Sequence, residues 1–401
     1  MLGEPFIKAK NIINTFENHG FEAYFVGGSV RDYLLDIPIG DVDIATNAKP
    51  DEMLKLFKRT VPVGIEHGTV IIIDNGHDFE VTTYRTEGDY EDFRRPDSVE
   101  FVTDLKLDLS RRDFTINAMA MNMNGEVIDP YDGQSHLKER MIHTVGLAKD
   151  RFSEDALRML RAIRFASQLD FNISNDVSAA IHQYKDLLSK IAVERIQAEL
   201  FKMFKGAGVQ RGLSSLEKTK LDQALPLFNY EPNLVSKLKA HVIDLIEYPS
   251  VVIAALTLLS DHHFFDDWIK TYKISNQIKK GAILLINSLN HYNQKGVNEE
   301  LLYKLGESQF RPFIEIVHVM TGECLELKAL TMQYEQLPIH SRGDLAISGH
   351  DIMSMFPNMS KGRWIGEYLE QVERLVLLKQ ISNNHKDIES EVKRWKELDI
   401  N

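Results

Sequence analysis

The sequence predicts an α+β fold, with a small mixed-sheet domain at the N-terminal end and an almost wholly helical remainder. Three observations carry that division. Short β-branched and aromatic runs bounded by Gly, Asn and Pro recur up to about residue 145. Beyond Met141 the apolar residues recur at helical spacing instead. The stretch Gly40-Asp41-Val42-Asp43-Ile44, downstream of Gly27-Gly28-Ser29, alternates acidic and apolar residues with the period of a strand.

Taken in order, Ala9 to Asn18 has a helical pattern and leads into Ala23-Tyr24-Phe25-Val26, a short apolar strand ended by Gly27-Gly28. Ser29 to Leu35 is the next expected helix, the Asp41–Asp43 strand follows, and Pro50 to Arg59 is a helix opened by proline in its first turn. Gly68 to Ile73 and Phe79 to Tyr84 are strands joined by Asn75-Gly76, a hairpin signal. Ser153 to Leu169 and Val193 to Phe204 are expected helices, and Val193, Ile196, Leu200, Phe201 and Phe204 form an inward stripe on the second. No internal repeat or long linker interrupts the helical half. The best breaks there are Gly206-Ala207-Gly208 and the Ser288 to Lys295 region, giving expected segments 1–145, 146–210, 211–290 and 291–401.

Composition sets the outer limits. The 401 residues are 43% hydrophobic and 26% charged, enough for several cores and typical of a globular protein. No apolar stretch has the length of a membrane span, and the first ten residues lack the pattern of a signal peptide, so cytoplasmic residence is expected. The one cysteine, Cys324, excludes an internal disulfide or a cysteine metal cluster and is expected to be half-buried. A net charge of −12 argues against a diffuse nucleic-acid coat. The clusters Arg94-Arg95, Arg111-Arg112 and Arg158/Arg161/Arg164 lie close to acids and look instead like placed site residues.

The candidate chemistry starts at the aspartates. In a strand Asp41 and Asp43 share one face while Val42 and Ile44 share the other. Mg²⁺ is commonly held by one or two carboxylates, with phosphate oxygens and water completing its octahedron. Glycines at the neighbouring turn let backbone N–H groups approach phosphates. The combination points to nucleotidyl transfer by two metals, one activating a hydroxyl and one steadying pyrophosphate. Glu80, between Phe79 and Val81, is either an outward-facing strand residue or a third group of the site, able to accept a proton from an attacking 3′-hydroxyl. Arg111-Arg112-Asp113-Phe114-Thr115-Ile116-Asn117-Ala118 offers guanidinium forks for a triphosphate, with Asp113 and Asn117 able to orient them or meet a ribose. The same stretch also fits a helix start with Ile116 and Met119 packing inward.

On the expected helix from Ser153, Asp155 and Arg158 are i and i+3, which makes them neighbours on one face. That is either a surface ion pair or a base-recognising pair. Aspartate accepts hydrogen bonds and arginine donates them. Cytosine and adenine each offer an amino donor beside a ring-nitrogen acceptor and satisfy both groups, whereas guanine and uracil present the opposite order. Arg161 lies beside Arg158, while Arg164 drifts toward the Leu157 side, suited to phosphate or to packing.

These segments together resemble the bacterial class II CCA-adding enzymes, the tRNA nucleotidyltransferases of the DNA polymerase β superfamily. The resemblance is dense from Phe21 to Phe204 and thinner to the C-terminus. Gly27-Gly28-Ser29-Val30-Arg31-Asp32 with Asp41-Val42-Asp43 is similar to the family's metal and nucleotide motif, Arg111 to Ala118 to its ribose motif, and Glu154-Asp155-x-x-Arg158 to its amino-acid template for C and A. The resemblance implies a polymerase β-like head over residues 1–145, then a helical neck, body and tail. It also implies metal ligands at Asp41 and Asp43, and nucleotide contacts at Gly28, Arg31, Arg112, Asp155, Arg158, Arg161 and Arg164. Mg²⁺ as cofactor, CTP and ATP as substrates, and the acceptor and TΨC arm of tRNA as partner follow as expectations, with a homodimer left open.

Tyr90 to Pro96 is similar to the flexible loop of full CCA-adding enzymes, and Gly64-Ile65-Glu66-His67-Gly68-Thr69 matches their pattern rather than that of bacterial poly(A) polymerases. Asp344 to Asp351 is similar to the tRNA-gripping tail, so His350-Asp351 is not a phosphohydrolase signature, and His262-His263 is expected on helix surface or in core. After Asp129 to Gly133 the family commonly has Asp–Leu where this chain has His136-Leu137, and His136 is given no catalytic role. The rival expectations are a narrower relative (A-adding, CC-adding or poly(A)-forming) and a non-catalytic RNA-binding scaffold.

Overall fold

The computed structural model describes residues 2–88 and 98–398, so the Tyr90–Pro96 loop, with Arg94 and Arg95, lies outside the described residues. Within them the chain forms two compact units, one up to Leu245 with Lys270–Lys273, the other Ile246–Ile269 with the residues from Ile274 onward.

The first unit opens with short helices, Glu4–Lys8 and Lys10–Asn18. Strands follow at Ala23–Val26 (β1), Asp43–Thr46 (β2), Thr60–Pro62 (β3), Thr69–Asp74 (β4) and His77–Thr83 (β5). Arg85–Glu87 (β6) and Val99–Phe101 (β7) form a separate antiparallel pair, and Ala120–Met121 (β8) and Val127–Ile128 (β9) return to the main sheet. Its seven strands run β3-β4-β5-β2-β1-β8-β9, with β2 and β5 parallel and the other neighbours antiparallel. Asn75 and Gly76 both take positive φ (48° and 80°), as a two-residue hairpin turn requires. Val26, Ala45 and Ala120 from the sheet, with Tyr84 just past β5, pack with Leu105 and Leu109 of the Leu105–Ser110 helix.

Several expectations shift. The proline-led helix covers Pro50–Leu56 and stops short of Arg59, because Phe57 is extended. Arg111 to Ala118 is not a helix start: Arg111 closes the Leu105–Ser110 helix, and Thr115–Asn117 is a single 3₁₀ turn with Ile116 buried. Strands do not end at Met141, since Met141–Ile142 (β10) and Asn172–Ile173 (β11) make a short parallel pair. The helix expected from Ser153 to Leu169 is two helices, Ala148–Glu154 and Leu157–Leu169, parted at Asp155 and Ala156. Val193–Phe204 is one helix that buries Ile196, Leu200 and Phe204 of the expected stripe together with Glu199 and Met203, while Val193 and Phe201 are only half-buried.

In the second unit the Pro249–Leu259, Asn276–Lys295 and Phe310–Thr321 helices pack on one another through residues such as Ile253, Leu285, Phe313 and Ile316. Ser288 to Lys295 is the last part of the Asn276–Lys295 helix and not a break; Gly296, at φ 68°, closes it. His262 and His263 lie in the bend before the Phe265–Thr271 helix rather than on a helix. Cys324 is exposed, not half-buried, just past the end of the Phe310–Thr321 helix. Asp351 belongs to a helix cap: Ser348 and Asp351 exchange hydrogen bonds at the start of Gly349–Met355.

Candidate active site

The site is built outward from Gly27. It lies at φ 74°, open to glycine but strained for other residues, at the end of β1. A Cβ added there would come within 3.0 Å of an Arg112 Nη1 and 4.0 Å of an Asp43 Oδ2. The backbone turn therefore lies directly under a guanidinium and a carboxylate, and both must approach it closely.

Strand register assembles the acidic corner. Val26 of β1 pairs with Asp43. The parallel pairing of Ile44 with Val81 sets Asp43 level with Glu80 on the same face of neighbouring strands. Asp41 precedes the strand and is exposed, Val42 and Ile44 are buried, and Asp43 is half-buried, so the expected alternation holds through the approach to β2. Burial above all, then the charge of Glu80, pushes the Asp43 carboxyl up to about 6; Arg112 pulls the other way and Asp41 adds to the rise. Three carboxylates thus crowd one corner with too little positive charge to balance them. Among the described residues no three or more His, Cys, Asp or Glu side chains close into a ready-made metal cage. The donor set suits a cation that takes one or two carboxylates and completes its shell with phosphate and water, as Mg²⁺ does.

Beside that corner the side chains are arginines fixed by acids. Asp108 is buried and accepts from Arg111 (Nε at 3.0 Å, Nη2 at 2.9 Å) and from Arg112 (Nη2 at 3.2 Å). Burial opposes its charge, but the two guanidiniums win and hold its carboxyl below the ordinary range. Arg31 donates to Asp32 (2.8 Å) and to the side-chain oxygen of Asn117 (2.7 Å), whose amide reaches Asp113 at 3.4 Å. Asp113 also receives the Arg161 fork at 2.7 and 2.6 Å. Its carboxyl falls to about 2, because Arg161 and Arg158 outweigh the cost of burial.

The helix break rearranges the expected base-reading pair. Asp155 is extended (φ −138°, ψ 104°), so Asp155 and Arg158 are not neighbours on one helix face. Asp155 Oδ1 instead accepts from the Leu157 amide at 3.0 Å, turning the chain into the second helix. Both carboxylate oxygens meet Arg195, at 3.3 and 2.6 Å. Arg158 pairs with Glu154 and donates to the carbonyls of Arg151 and Arg111, each at 3.3 Å. Arg164 forms a buried ion pair with Glu199 at 2.9 Å and lies over the Phe165 ring, 4.0 Å from its centroid.

Most of these arginines, with Asp43, Asp113, Asn117 and Asp155, line one cavity of about 540 Å³, while Asp108, Glu154 and Glu199 hold arginines from outside its lining. Its lining holds Asp43 and all seven expected nucleotide contacts, Gly28, Arg31, Arg112, Asp155, Arg158, Arg161 and Arg164, whereas Asp41 and Glu80 stand outside it. Arginine dominates the lining of a chain whose net charge is −12. Sequence reasoning missed Asp108, Arg195 and Glu199. Glu199 did leave a signal, an acidic residue one position from Leu200 on the apolar stripe of its helix. His136 has no place in the cavity; it bonds Thr115 at 2.9 Å and stacks on His143, 4.1 Å between ring centroids.

Residues 23–143 match the poly(A) polymerase head domain, 170–231 a probable RNA- and SrmB-binding site of polymerase A, and 247–392 a putative second domain of tRNA nucleotidyltransferase. The chain is 45% identical over 395 residues to a CCA-adding enzyme of Oceanobacillus iheyensis, covering 98% of each. It is 43% identical over 400 residues to that of Anoxybacillus flavithermus, covering 98% of this chain and 97% of the relative. The Bacillus stearothermophilus CCA-adding enzyme, solved in complex with CTP, superposes with a TM-score of 0.90 at 34% identity over 99% of each chain. A Thermotoga maritima CCA-adding enzyme complexed with tRNA shares the fold at a TM-score of 0.62 and 21% identity, over 98% of this chain and 96% of that one.

Proposed function

The chain belongs to the CCA-adding enzymes, a family of tRNA nucleotidyltransferases, and from that premise we propose that it builds and repairs the tRNA 3′ end from CTP and ATP without a nucleic-acid template. The observation that carries this reading is the cavity itself. Its lining combines Asp43 with Asp155, Arg158 and arginines held by acids.

In this reading the nucleotide enters with its phosphates toward Arg112 and Arg31 and its base toward Asp155 and Arg158. Asn117, held between Arg31 and Asp113, is placed for a ribose hydroxyl. The tRNA 3′-hydroxyl attacks the α-phosphorus, the bond to the β-phosphate oxygen breaks, and pyrophosphate leaves. Glu80, level with Asp43, takes the hydroxyl proton. Mg²⁺ held by Asp41 and Asp43 would polarise the attacked phosphate and neutralise the leaving charge. Arg31, Arg112 and Arg161 need no rearrangement to meet phosphate charge, because their acids already hold them in place. A base is selected by its amino donor for Asp155 and its ring-nitrogen acceptor for Arg158. A mismatch leaves buried polar groups unpaired, at about 1 to 3 kcal/mol each.

The segments after residue 146 serve, in this reading, as neck, body and tail along the acceptor and TΨC arm. The protein works in the cytoplasm; among the described residues no helix is long and apolar enough to cross a membrane. The test supplies Mg²⁺, a tRNA lacking its CCA end, and each labelled nucleotide in turn. Two C additions followed by one A, with nothing from GTP or UTP, is the expected result. An unlimited A tail, or C alone, would move the chain to a narrower relative, and no addition with tRNA still bound would leave a scaffold.

A further inference from the structure

We propose that Arg195 sets the nucleotide specificity of this site by occupying the acceptor positions of Asp155 that guanine would otherwise use. The inference rests on the reading of Asp155 as the base-selecting carboxylate.

Helical geometry does not hold Asp155, because it stands in the break between the Ala148–Glu154 and Leu157–Leu169 helices. Its side chain is positioned from outside. Arg195 comes from the Val193–Phe204 helix, 40 residues further along, and is itself part of the cavity lining. One turn further on that helix, Glu199 holds Arg164, so two consecutive turns fix two residues of the nucleotide cavity.

Acceptor capacity gives the fork a consequence for selection. A carboxylate has about four acceptor positions, two on each oxygen. On Asp155 Oδ1 they are filled by the Leu157 amide at 3.0 Å and Arg195 Nη1 at 3.3 Å. On Oδ2, Arg195 Nη2 fills one at 2.6 Å. A single position on Oδ2 is left facing the cavity. Cytosine and adenine need one acceptor for their amino group. Guanine presents two adjacent donors, its N1–H and its N2 amino group, and needs two parallel acceptors. With Arg195 in place the carboxylate cannot offer the second. Without it, Asp155 becomes a free fork that matches guanine. Arg195 is thus a positioning residue that acts through Asp155.

The experiment compares single-nucleotide addition to a truncated tRNA by the full-length protein and by Arg195→Ala, with melting temperature as a check on folding. The expected result is a fall in the CTP-over-GTP ratio of kcat/KM by roughly ten- to hundredfold, the value of one unmade buried hydrogen bond. The CTP-over-UTP ratio should fall less, since uracil has only one ring N–H. Guanidinium in the buffer should restore the ratio. Arg195→Lys, which keeps the charge but not the fork, should still lose part of it and carries the test if the alanine variant does not fold. An unchanged CTP-over-GTP ratio in folded Arg195→Ala, or equal relaxation toward GTP and UTP, overturns the inference. Asp155→Ala separates the two levels. If it loses discrimination while Arg195→Ala keeps it, only the role of Arg195 fails; if it too keeps discrimination, the base-selecting role of Asp155 fails first.

Discussion

Two regions around the cavity, one on the sheet and one toward the helices, handle charge in opposite ways. At the sheet end Asp43 lies level with Glu80, close to Asp41, and its carboxyl is pushed up to about 6. At the helical end Asp113, Asp155 and Glu199 each meet a guanidinium within 3 Å, and Asp113 is pulled down to about 2. The first region carries an unbalanced charge that a cation would relieve, and the second has its charges matched within the chain. In the proposed reading the region short of counter-charge does the chemistry and the matched pairs hold the substrate's place. Variants at the two ends should therefore split activity from stability in opposite directions.

The largest effect is expected at the sheet end. Asp43→Asn should reduce nucleotide addition by at least about a thousandfold, since losing a single preorganised electrostatic group already costs about 10² to 10³. Its stability should not fall with its activity. The native pKa of about 6 lies above the ordinary 3.8, so the native state favours the protonated form. Above pH 6 the ionised carboxylate is then a net burden on the fold, and removing its charge should leave the metal-free melting temperature at pH 7.5 unchanged or higher. A variant that lost stability along with activity would break the contrast at its strongest point.

The next effect lies at the other end. Glu199→Ala leaves the Arg164 guanidinium buried without its partner, and burial already pulls the Arg164 group down to about 10. Breaking a buried pair from one side costs about 3 to 5 kcal/mol. Denaturant unfolding should show that loss, with weakened nucleotide addition following from it. A cost below about 1 kcal/mol, the level of an exposed pair, would mean that the pair does not hold this end together.

The same contrast separates what the sequence discloses from what it hides. The aspartates of the acidic corner are legible because their cause is local, alternation that places Asp43 opposite Val42 and Ile44, whereas Glu80 comes level with Asp43 through the long-range parallel pairing of β2 with β5. The Val193–Phe204 helix is legible for the same reason, from its apolar spacing. The break at Asp155 is not, since no Gly or Pro interrupts Ser153 to Leu169 and the turn depends on one side chain accepting from the Leu157 amide. Nor is the Arg195 fork, because nothing local links residues 40 positions apart. Two-residue strands such as β10 and β11 are too short to show a period. The candidate nucleotide contacts could thus be picked residue by residue, while their partners, which are mostly long-range acids and arginines, could not.

The smallest effect tests whether the matched end behaves as linkage requires. Asp113 has a folded pKa near 2, below its ordinary 3.8, because Arg161 and Arg158 outweigh its burial. The unfolded chain therefore binds more protons than the native one between those values, and stability must fall as pH drops from about 4 toward 2. The contribution present at neutral pH and lost across that window is about 2 kcal/mol. Asp113→Asn removes it, so the variant should be less stable than the parent at pH 7 and should differ from it progressively less as the pH falls below 4. Other carboxylates titrate in the same range, which is why the difference between the two proteins, rather than either curve alone, is the measurement. A gap that stays constant from pH 7 to pH 2 would show that Asp113 stabilises the site through its uncharged hydrogen bonds to Phe114 and Asn117. The charge balance drawn for the helical end would then rest on Asp155 and Glu199 alone.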